Sequence, residues 1–204
     1  NTGIGNRIMT SPNGITWTSR ISPEDNNWTS ICRGKVDVGL ITEKEIFVAI
    51  ASSGTNRVMI SYDGINWTTQ LAASNNNWTS VCWSVHLNLF VAVSNTGTND
   101  RVMTSPDGIN WTSRVSASDN NWTSVCWSTY INKFIAVSST GFNNRVMISA
   151  NGITWSSQIS AKNYQWSSIT YSNNYIIAVS DNGEGDRSMR STNGIDWEIN
   201  DTLQ

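Results

Sequence analysis

The stretch Ser105-Pro-Asp-Gly-Ile-Asn-Trp111 decides the fold of this chain, because the sequence contains five copies of the same pattern. Asp-Gly and Asn-Gly favour tight turns, since Gly adopts positive φ without strain and Asp or Asn bonds to the backbone that follows. Successive copies lie 42 to 50 residues apart, a period typical of propeller blades or two-layer solenoids. The copies end at Trp17, Trp67, Trp111, Trp155 and Trp197.

Each repeat also contains short runs rich in β-branched and aromatic residues, which predict strands rather than helices. In one repeat the runs are Trp78-Thr-Ser-Val-Cys-Trp83 (strand A), Phe90-Val-Ala-Val93 (B), Arg101-Val-Met103 (C) and the segment from Trp111 to Val115 (D). Four short antiparallel strands per period match a propeller blade. The predicted fold class is therefore all-β, a β-propeller of four-stranded antiparallel blades, five-bladed with one incomplete or composite blade.

The repeat runs through the whole sequence and predicts a single propeller domain over 1–204. A half blade is expected at 1–21 and full blades at 28–70, 78–114, 122–158 and 166–199. This gives 18 strands, whereas five complete blades require 20. The missing inner strands lie upstream of Asn1, or the terminal hairpin closes the ring unusually, or the arrangement is open or homo-oligomeric. The segment 33–46 is longer and more charged than its counterparts, and we expect a solvated loop there.

Composition excludes several classes of function. Charged residues make up 14% of the chain, against about 25% in an average domain, and the net charge is −2. We therefore expect no nucleic-acid partner, because such a partner requires a basic surface. No apolar run approaches the ~18 residues that a membrane-spanning helix needs, so no membrane insertion is expected. Cys32, Cys82 and Cys126 share one repeat position and are interpreted as small buried apolar residues without disulfides.

The sequence offers no catalytic constellation. His86 is the only histidine and falls in a predicted surface turn between strands A and B. Cys-x-x-Cys, His-Glu-x-x-His and glycine-rich phosphate-binding motifs are missing from the sequence. We expect no catalytic residues, no metal site and no cofactor.

The repeated turn resembles the Asp-box, or BNR repeat, which lies between strands C and D of propeller blades. The resemblance implies a structural role for the Trp residues of the turn and for its Asp or Asn residues, which are Asn13, Asp63, Asp107, Asn151 and Asn193. Tandem proteins of phages and large viruses look similar, and five-bladed lectins share the plan. Sialidases also belong to the family, but their three arginines converge on one substrate, whereas repetition distributes the arginines of this chain around a ring.

Strand alternation places the D-to-A and B-to-C loops on one face, rich in Asn, Asp, Ser and Gly. Amides, acids and aromatic rings recognise neutral sugars without much net charge. The first hypothesis is a non-enzymatic, multivalent glycan-binding propeller whose equivalent weak sites gain avidity together. The candidate ligand-binding residues are Asn77, Asn121, Arg57, Arg101, Arg145, Asp100, Asn144, Trp78 and Trp122.

Alternatives remain open at this stage. Polar residues fill turns for backbone reasons alone, the Trp that opens strand A suits a core position, and the repeated Arg suits a carbonyl brace. The second hypothesis is a structural or adhesion module of a virion, tail or cell surface that binds a surface protein, with the 33–46 segment as the docking element. A sialidase-like hydrolase is the third. An extracellular or virion-associated location is favoured.

Overall fold

The computed structural model describes residues 3–37 and 43–199, and the regular elements in those two ranges are all β-strands. The chain ends (1–2 and 200–204) and the centre of the charged segment (38–42) lie outside the described residues. The strands form one two-stranded sheet and four four-stranded sheets, each antiparallel and built from consecutive strands. The predicted all-β propeller of four-stranded blades, five-bladed with one incomplete blade, is confirmed.

The strands are numbered in chain order. The half-blade contains β1 (Ile8–Thr10) and β2 (Thr18–Arg20). Blade 1 contains β3 (Trp28–Asp37), β4 (Glu43–Ala51), β5 (Val58–Ser61) and β6 (Thr68–Gln70). Blade 2 contains β7 (Trp78–Ser84), β8 (Leu89–Ser94), β9 (Val102–Ser105) and β10 (Thr112–Arg114). Blade 3 contains β11 (Trp122–Ser128), β12 (Lys133–Ser138), β13 (Val146–Ser149) and β14 (Ser156–Gln158). Blade 4 contains β15 (Trp166–Tyr171), β16 (Ile176–Ser180), β17 (Ser188–Ser191) and β18 (Glu198–Ile199).

The core lies between blades, because side chains alternate along each strand and both faces of a blade are apolar. In blade 2, Val91 and Val93 point toward blade 3, on what we call the leading face. Phe90 and Ala92 point toward blade 1, on the trailing face. All four side chains are fully buried. The sequence therefore reads as a continuous apolar run, as expected for a strand covered on both sides.

Polar side chains join the A strands of consecutive blades. Thr79 donates its hydroxyl to the carbonyl of Trp122 over 2.8 Å, and the Oγ of Ser80 accepts the backbone N–H of Val125 over 3.1 Å. Equivalent Thr and Ser bonds join blade 1 to blade 2 and blade 3 to blade 4. The repeated Trp-Thr-Ser sequence thus sets the spacing between neighbouring blades.

The three cysteines are free and lie on the A strands, where each packs against a core between blades. Burial raises the pKa of each thiol, to about 12 for Cys126. They therefore act as small apolar residues and are poor nucleophiles near neutral pH.

The charged segment of blade 1 corrects one expectation. The described parts of 33–46 are not a solvated loop but extensions of β3 and β4, which pair in register from Arg33 and Phe47 out to Asp37 and Glu43. Arg33 contacts Glu45 over 2.6 Å and Lys35 contacts Glu43 over 3.3 Å. The charges that suggested a loop are explained by exposure on a long hairpin, where opposite charges on neighbouring strands pair.

Candidate ligand-binding face

The repeated turn between strands C and D is held by its own side chains. In blade 2, one carboxylate oxygen of Asp107 accepts the backbone N–H groups of Ile109 and Asn110, both over 2.8 Å. Ser105 accepts the N–H of Gly108, whose φ is 75°, and Trp111 donates its indole N–H to the carbonyl of Gly108. Asn13, Asp63, Asn151 and Asn193 accept the same pair of N–H groups in the other copies.

These bonds change the acidity of the two turn aspartates. For Asp63 the hydrogen bonds from Asn66 and from the N–H of Ile65 hold the pKa of the carboxyl well below its usual range. For Asp107 burial acts to raise the pKa, but the bonds from Asn110 and Ile109 outweigh it and the pKa is lowered. The hydrogen bonds of the turn therefore cause the low pKa values, and these carboxylates already accept backbone N–H groups.

The opposite face is formed by the D-to-A and B-to-C loops, which hydrogen bonds join to each other. Asn76 is buried and donates its amide to the carbonyl of Asp100 over 2.9 Å, and Asn120 donates to the carbonyl of Asn144 over 2.8 Å. Asn26 makes the equivalent bond to Asn56. The middle Asn of each Asn-rich loop is therefore part of the framework.

The repeated arginine is a brace between loops. Arg57 donates to the carbonyls of Gly54 and Asn75 and, over 3.2 Å, to the side chain of Asn77. Arg101 donates to the side chain of Asn121 over 3.1 Å. Arg101 also donates to the carbonyls of Gly97 and Asn95. Arg145 donates to the carbonyls of three residues, Gly141, Ser139 and Tyr164.

Most residues predicted to bind ligand are thus occupied in holding the loops together. Arg57 is paired with Asn77 and Arg101 with Asn121, while Asn144 accepts the side-chain amide of Asn120 through its own side chain. Asp100 accepts Asn76 with its backbone carbonyl, and its Oδ1 is buried. The structure brings these residues together as repeated pairs, one junction at a time, and not as one converging pocket.

The prediction that Trp78 and Trp122 form an aromatic platform for ligand is wrong. Both side chains are fully buried between blades. Their indole N–H groups donate inward, to the carbonyls of Ser74 and Ser118. A Trp at the start of an inner strand is covered by the preceding blade, so the rings of Trp78 and Trp122 are not accessible to a ligand.

The tip of each B-to-C loop is exposed on this face. In blade 2 the tip is Gly97-Thr98-Asn99, in which Gly97 and Asn99 have φ of 106° and 57°. The N–H of Asn99 donates to the carboxylate of Asp119 over 3.0 Å. In blade 3, Asn143 donates to Asn163 in the same way, over 2.9 Å. These hydrogen bonds at the base of the tip, which we call its frame, therefore fix the backbone of the tip in blades 2 and 3.

In blades 2, 3 and 4 a single residue lies between two left-handed residues, whereas the loop of blade 1 is one residue shorter and only Gly54 there has positive φ. The residue at this position differs among blades 2, 3 and 4. We call it the tip residue, and it is exposed in each blade that the structure describes. Phe142 is 78% exposed and lies beside the Asn143 and Asn163 pair. Sequence reasoning missed it because it looked for what repeats, whereas the signal is a residue that changes within a repeated frame. The tip residues are Ile4, Thr55, Thr98, Phe142 and Glu184.

The remaining titratable groups do not converge on one site. Across 3–37 and 43–199, no group of His, Cys, Asp and Glu side chains could hold a metal ion. Tyr164 has its pKa raised by its hydrogen bond to Asp186, a contact that joins two loops of blade 4. His86 is exposed in the A-to-B turn, 6.1 Å from the ring of Trp127. No helix in the described ranges is long and apolar enough to cross a membrane.

Comparisons with known proteins place the chain by its fold. It superposes on a chain of a nidogen/laminin complex with a TM-score of 0.55 and 9% identity, covering 90% of this chain and 84% of that one. It also superposes on a structural genomics protein of unknown function from Bacteroides thetaiotaomicron VPI-5482 with a TM-score of 0.57 and 12% identity. That match covers 88% of this chain but 45% of the other. No family model and no curated protein matches the sequence.

Proposed function

We propose that this propeller is a non-enzymatic, multivalent carbohydrate-binding protein whose sites are the tips of the B-to-C loops. The observation that carries the proposal is the hydrogen-bonded loop frame of blades 2 and 3, which presents an exposed Thr98 in one blade and an exposed Phe142 in the other. A fixed frame with a variable contact residue suits recognition, because the frame limits the loop ordering that binding would require.

The tip of blade 3 has the chemistry for a neutral sugar. The exposed ring of Phe142 offers a flat surface for the C–H groups of a pyranose, and the amides of Asn143 and Asn163 lie next to it. Planar amides accept from and donate to neighbouring hydroxyls. One such contact is weak, and attachment to a glycan-covered surface would gain affinity from several tips together.

The geometry of the C-to-D turns supports the assignment of the repeat to the Asp-box class. Asp107 binds two backbone N–H groups, and the Trp111 indole returns to Gly108 within the same turn. On this assignment the turns are structural and binding belongs to the opposite face. A glycan-binding role also favours an extracellular or virion-associated location.

The test is a broad glycan array probed with the wild-type protein, with Phe142→Ala and with Ile153→Ala as the matched control. Ile153 is 45% exposed in the C-to-D turn of the same blade. Selective binding that is weakened in Phe142→Ala and kept in Ile153→Ala is expected. A blank array at high protein concentration would refute the proposal.

A second candidate, an adhesion module that binds a surface protein, is favoured by the long β3–β4 hairpin. Its strands have 10 and 9 described residues, against 7 and 6 for the equivalent strands of blade 2. A cleft of about 550 Å³ separates Lys35 and Glu43 from Asn88 and Asp107 of the next blade. Binding to cells that survives glycosidase treatment and is lost in Arg33→Glu would favour this function.

A sialidase-like hydrolase is the least supported alternative. The arginines that such a site would need are each bonded within a separate loop junction, as Arg57 and Arg101 show. Under the proposed function, the protein will not turn over a fluorogenic sialoside.

A further inference from the structure

Three of the five C-to-D turns contain Asn followed by Gly, a dipeptide that is chemically reactive as well as a good turn former. In a flexible chain the backbone nitrogen of such a Gly attacks the side-chain amide of the Asn, because Gly has no side chain to obstruct the approach. The other two turns contain Asp63 and Asp107 and lack this amide. The three Asn residues are Asn13, Asn151 and Asn193.

The turn at Asn151 lies in blade 3, which packs against a complete blade on either side. The Asn151 side chain is exposed, so water reaches it. Its Oδ1 accepts the N–H groups of Ile153 and Thr154 over 2.9 and 3.0 Å. The N–H of Gly152 donates to the Oγ of Ser149 over 2.8 Å. Hydrogen bonds of the turn thus hold both groups that would react with each other.

Packing between blades 2 and 3 also keeps this turn closed. Gly152 is buried and has a φ of 73°. A Cβ placed on it would lie 2.9 Å from the side chain of Leu89 and 3.0 Å from that of Val91, both on blade 2. The turn therefore loses contacts between blades as well as hydrogen bonds when it opens, which makes the open state rare.

We propose that Asn151 is a site of spontaneous deamidation, which the closed turn protects and the open turn permits. In the open turn the nitrogen of Gly152 gives its proton to water and attacks Cγ of Asn151. The new C–N bond closes a five-membered imide, the Cγ–Nδ2 bond breaks, and the amide nitrogen leaves as ammonia with a proton from water. Water then opens the imide at either carbonyl carbon, which gives aspartate or isoaspartate.

The closed turn opposes this reaction at both partners. The nitrogen of Gly152 keeps its proton in the bond to Ser149, and the side chain of Asn151 must leave its two backbone donors to form the ring. The reaction needs no co-reactant except water. It belongs to the C-to-D turns and is independent of the loop tips on the opposite face.

The two products differ in whether they restore the turn. Asp107 accepts the same two N–H groups in blade 2, so an aspartate at position 151 keeps the turn. Isoaspartate adds one carbon to the backbone between β13 and β14, whose register places Ile148 opposite Ser156. The added carbon displaces the bonded groups, so the turn does not close again. Opening followed by reaction is therefore irreversible in the molecules that form isoaspartate.

The experiment measures deamidation at each Asn-Gly pair by peptide mapping and mass spectrometry after incubation at mildly alkaline pH. Wild-type protein is compared folded in buffer and unfolded in guanidinium chloride at the same pH. Reaction at Asn151 should be at least about 100-fold slower in the folded protein, because only the open fraction reacts. Equal rates would overturn the proposal. Faster reaction in the folded protein would also overturn it, since the donors to Oδ1 would then assist the attack.

Variants test whether the turn itself gives the protection. Ser149→Ala removes the acceptor of the Gly152 N–H and should raise the folded-state rate at Asn151 about fivefold, the effect of one lost hydrogen bond on opening. Ser157→Ala, at an exposed residue of β14, should react like wild type. The rate at Asn193 reports general unfolding and should not change in Ser149→Ala. Equal acceleration at both Asn residues, or none at Asn151, would overturn the proposal.

Discussion

Asp107 shows how a single side chain sets the geometry of a blade. One of its oxygens accepts two backbone N–H groups that the turn would otherwise leave without a protein partner. We expect Asp107→Ala to lower the free energy of unfolding by about 1–2 kcal/mol, the usual cost of losing such a bonded turn. Denaturant unfolding followed by tryptophan fluorescence measures this.

The sequence supplies the control for this variant. Asn occupies the same position in three of the five turns and makes the same bonds, as Asn151 does in blade 3. Asp107→Asn should therefore stay within about 0.5 kcal/mol of wild type. If the Ala and Asn variants were equally stable, the hydrogen bonds would not be what holds the turn.

The two turn aspartates also predict a pH dependence. Because hydrogen bonds lower the folded pKa of Asp63 and Asp107 below the unfolded value of about 3.9, their stabilisation is present above about pH 4. It is lost as the pH falls below that value and the carboxylates protonate. The double variant Asp63→Asn and Asp107→Asn should lose less stability between pH 7 and pH 3 than wild type. Identical pH profiles would contradict this origin.

At the residue scale, sequence reasoning located the turns but left two roles open for the repeated Trp and Arg, ligand contact or framework. Repetition identifies residues that share a role and leaves the role open. Trp78 repeats because it is buried, and Arg101 because it joins loops. Phe142 occurs once, so a search for repeated residues passed over it. Its exposure on a loop that hydrogen bonds hold is what makes it a candidate contact residue.

At the element scale, the β3–β4 hairpin depends on a small residue at Gly34. A Cβ added there would overlap the rings of Phe90 and Trp83 in blade 2. We expect Gly34→Ala to lower the free energy of unfolding by about 1–3 kcal/mol through overpacking. Thermal unfolding of Gly34→Ala beside Lys35→Ala, whose side chain is exposed, measures it. Equal melting temperatures would show that the hairpin moves to make room.

The four strands of each complete blade follow from the sequence because each has its own composition and the turns separate them. The extension of β3 and β4 could not be predicted in the same way. Lys and Glu are poor strand formers on average, and their pairing across the hairpin appears only when the register is known. The pattern of charges alone fits a loop equally well.

At the scale of the whole molecule, stability should fall toward the half-blade. Its strands have three residues each, and Met9 and Trp17 are 63% and 53% exposed. Blades 2 and 3 are covered on both faces. In native-state hydrogen exchange, amides of β1 should exchange at least about 100-fold faster than those of β8. Equal protection of β1 and β8 would contradict this gradient.

The five units and the missing inner strands follow from counting repeats, which is why the architecture could be predicted. The character of the leading face of blade 4 could not. Thr170 in place of Cys looks like a minor change until the structure shows that it shares an uncovered face with Arg190 and Val179. Which surfaces meet a neighbour is a property of the assembled blades.

The most direct test of sugar binding at the loop tips is an NMR titration of the labelled protein with simple monosaccharides at millimolar concentration. If the tips bind sugar, amide shifts will change at Phe142 and Asn143 with Asn163, and more weakly at Thr98 and Asn99 with Asp119. The turn residues Asp63 and Asp107 will then not respond. Shift changes confined to the C-to-D turns, or none for any sugar tested, would contradict binding at the tips.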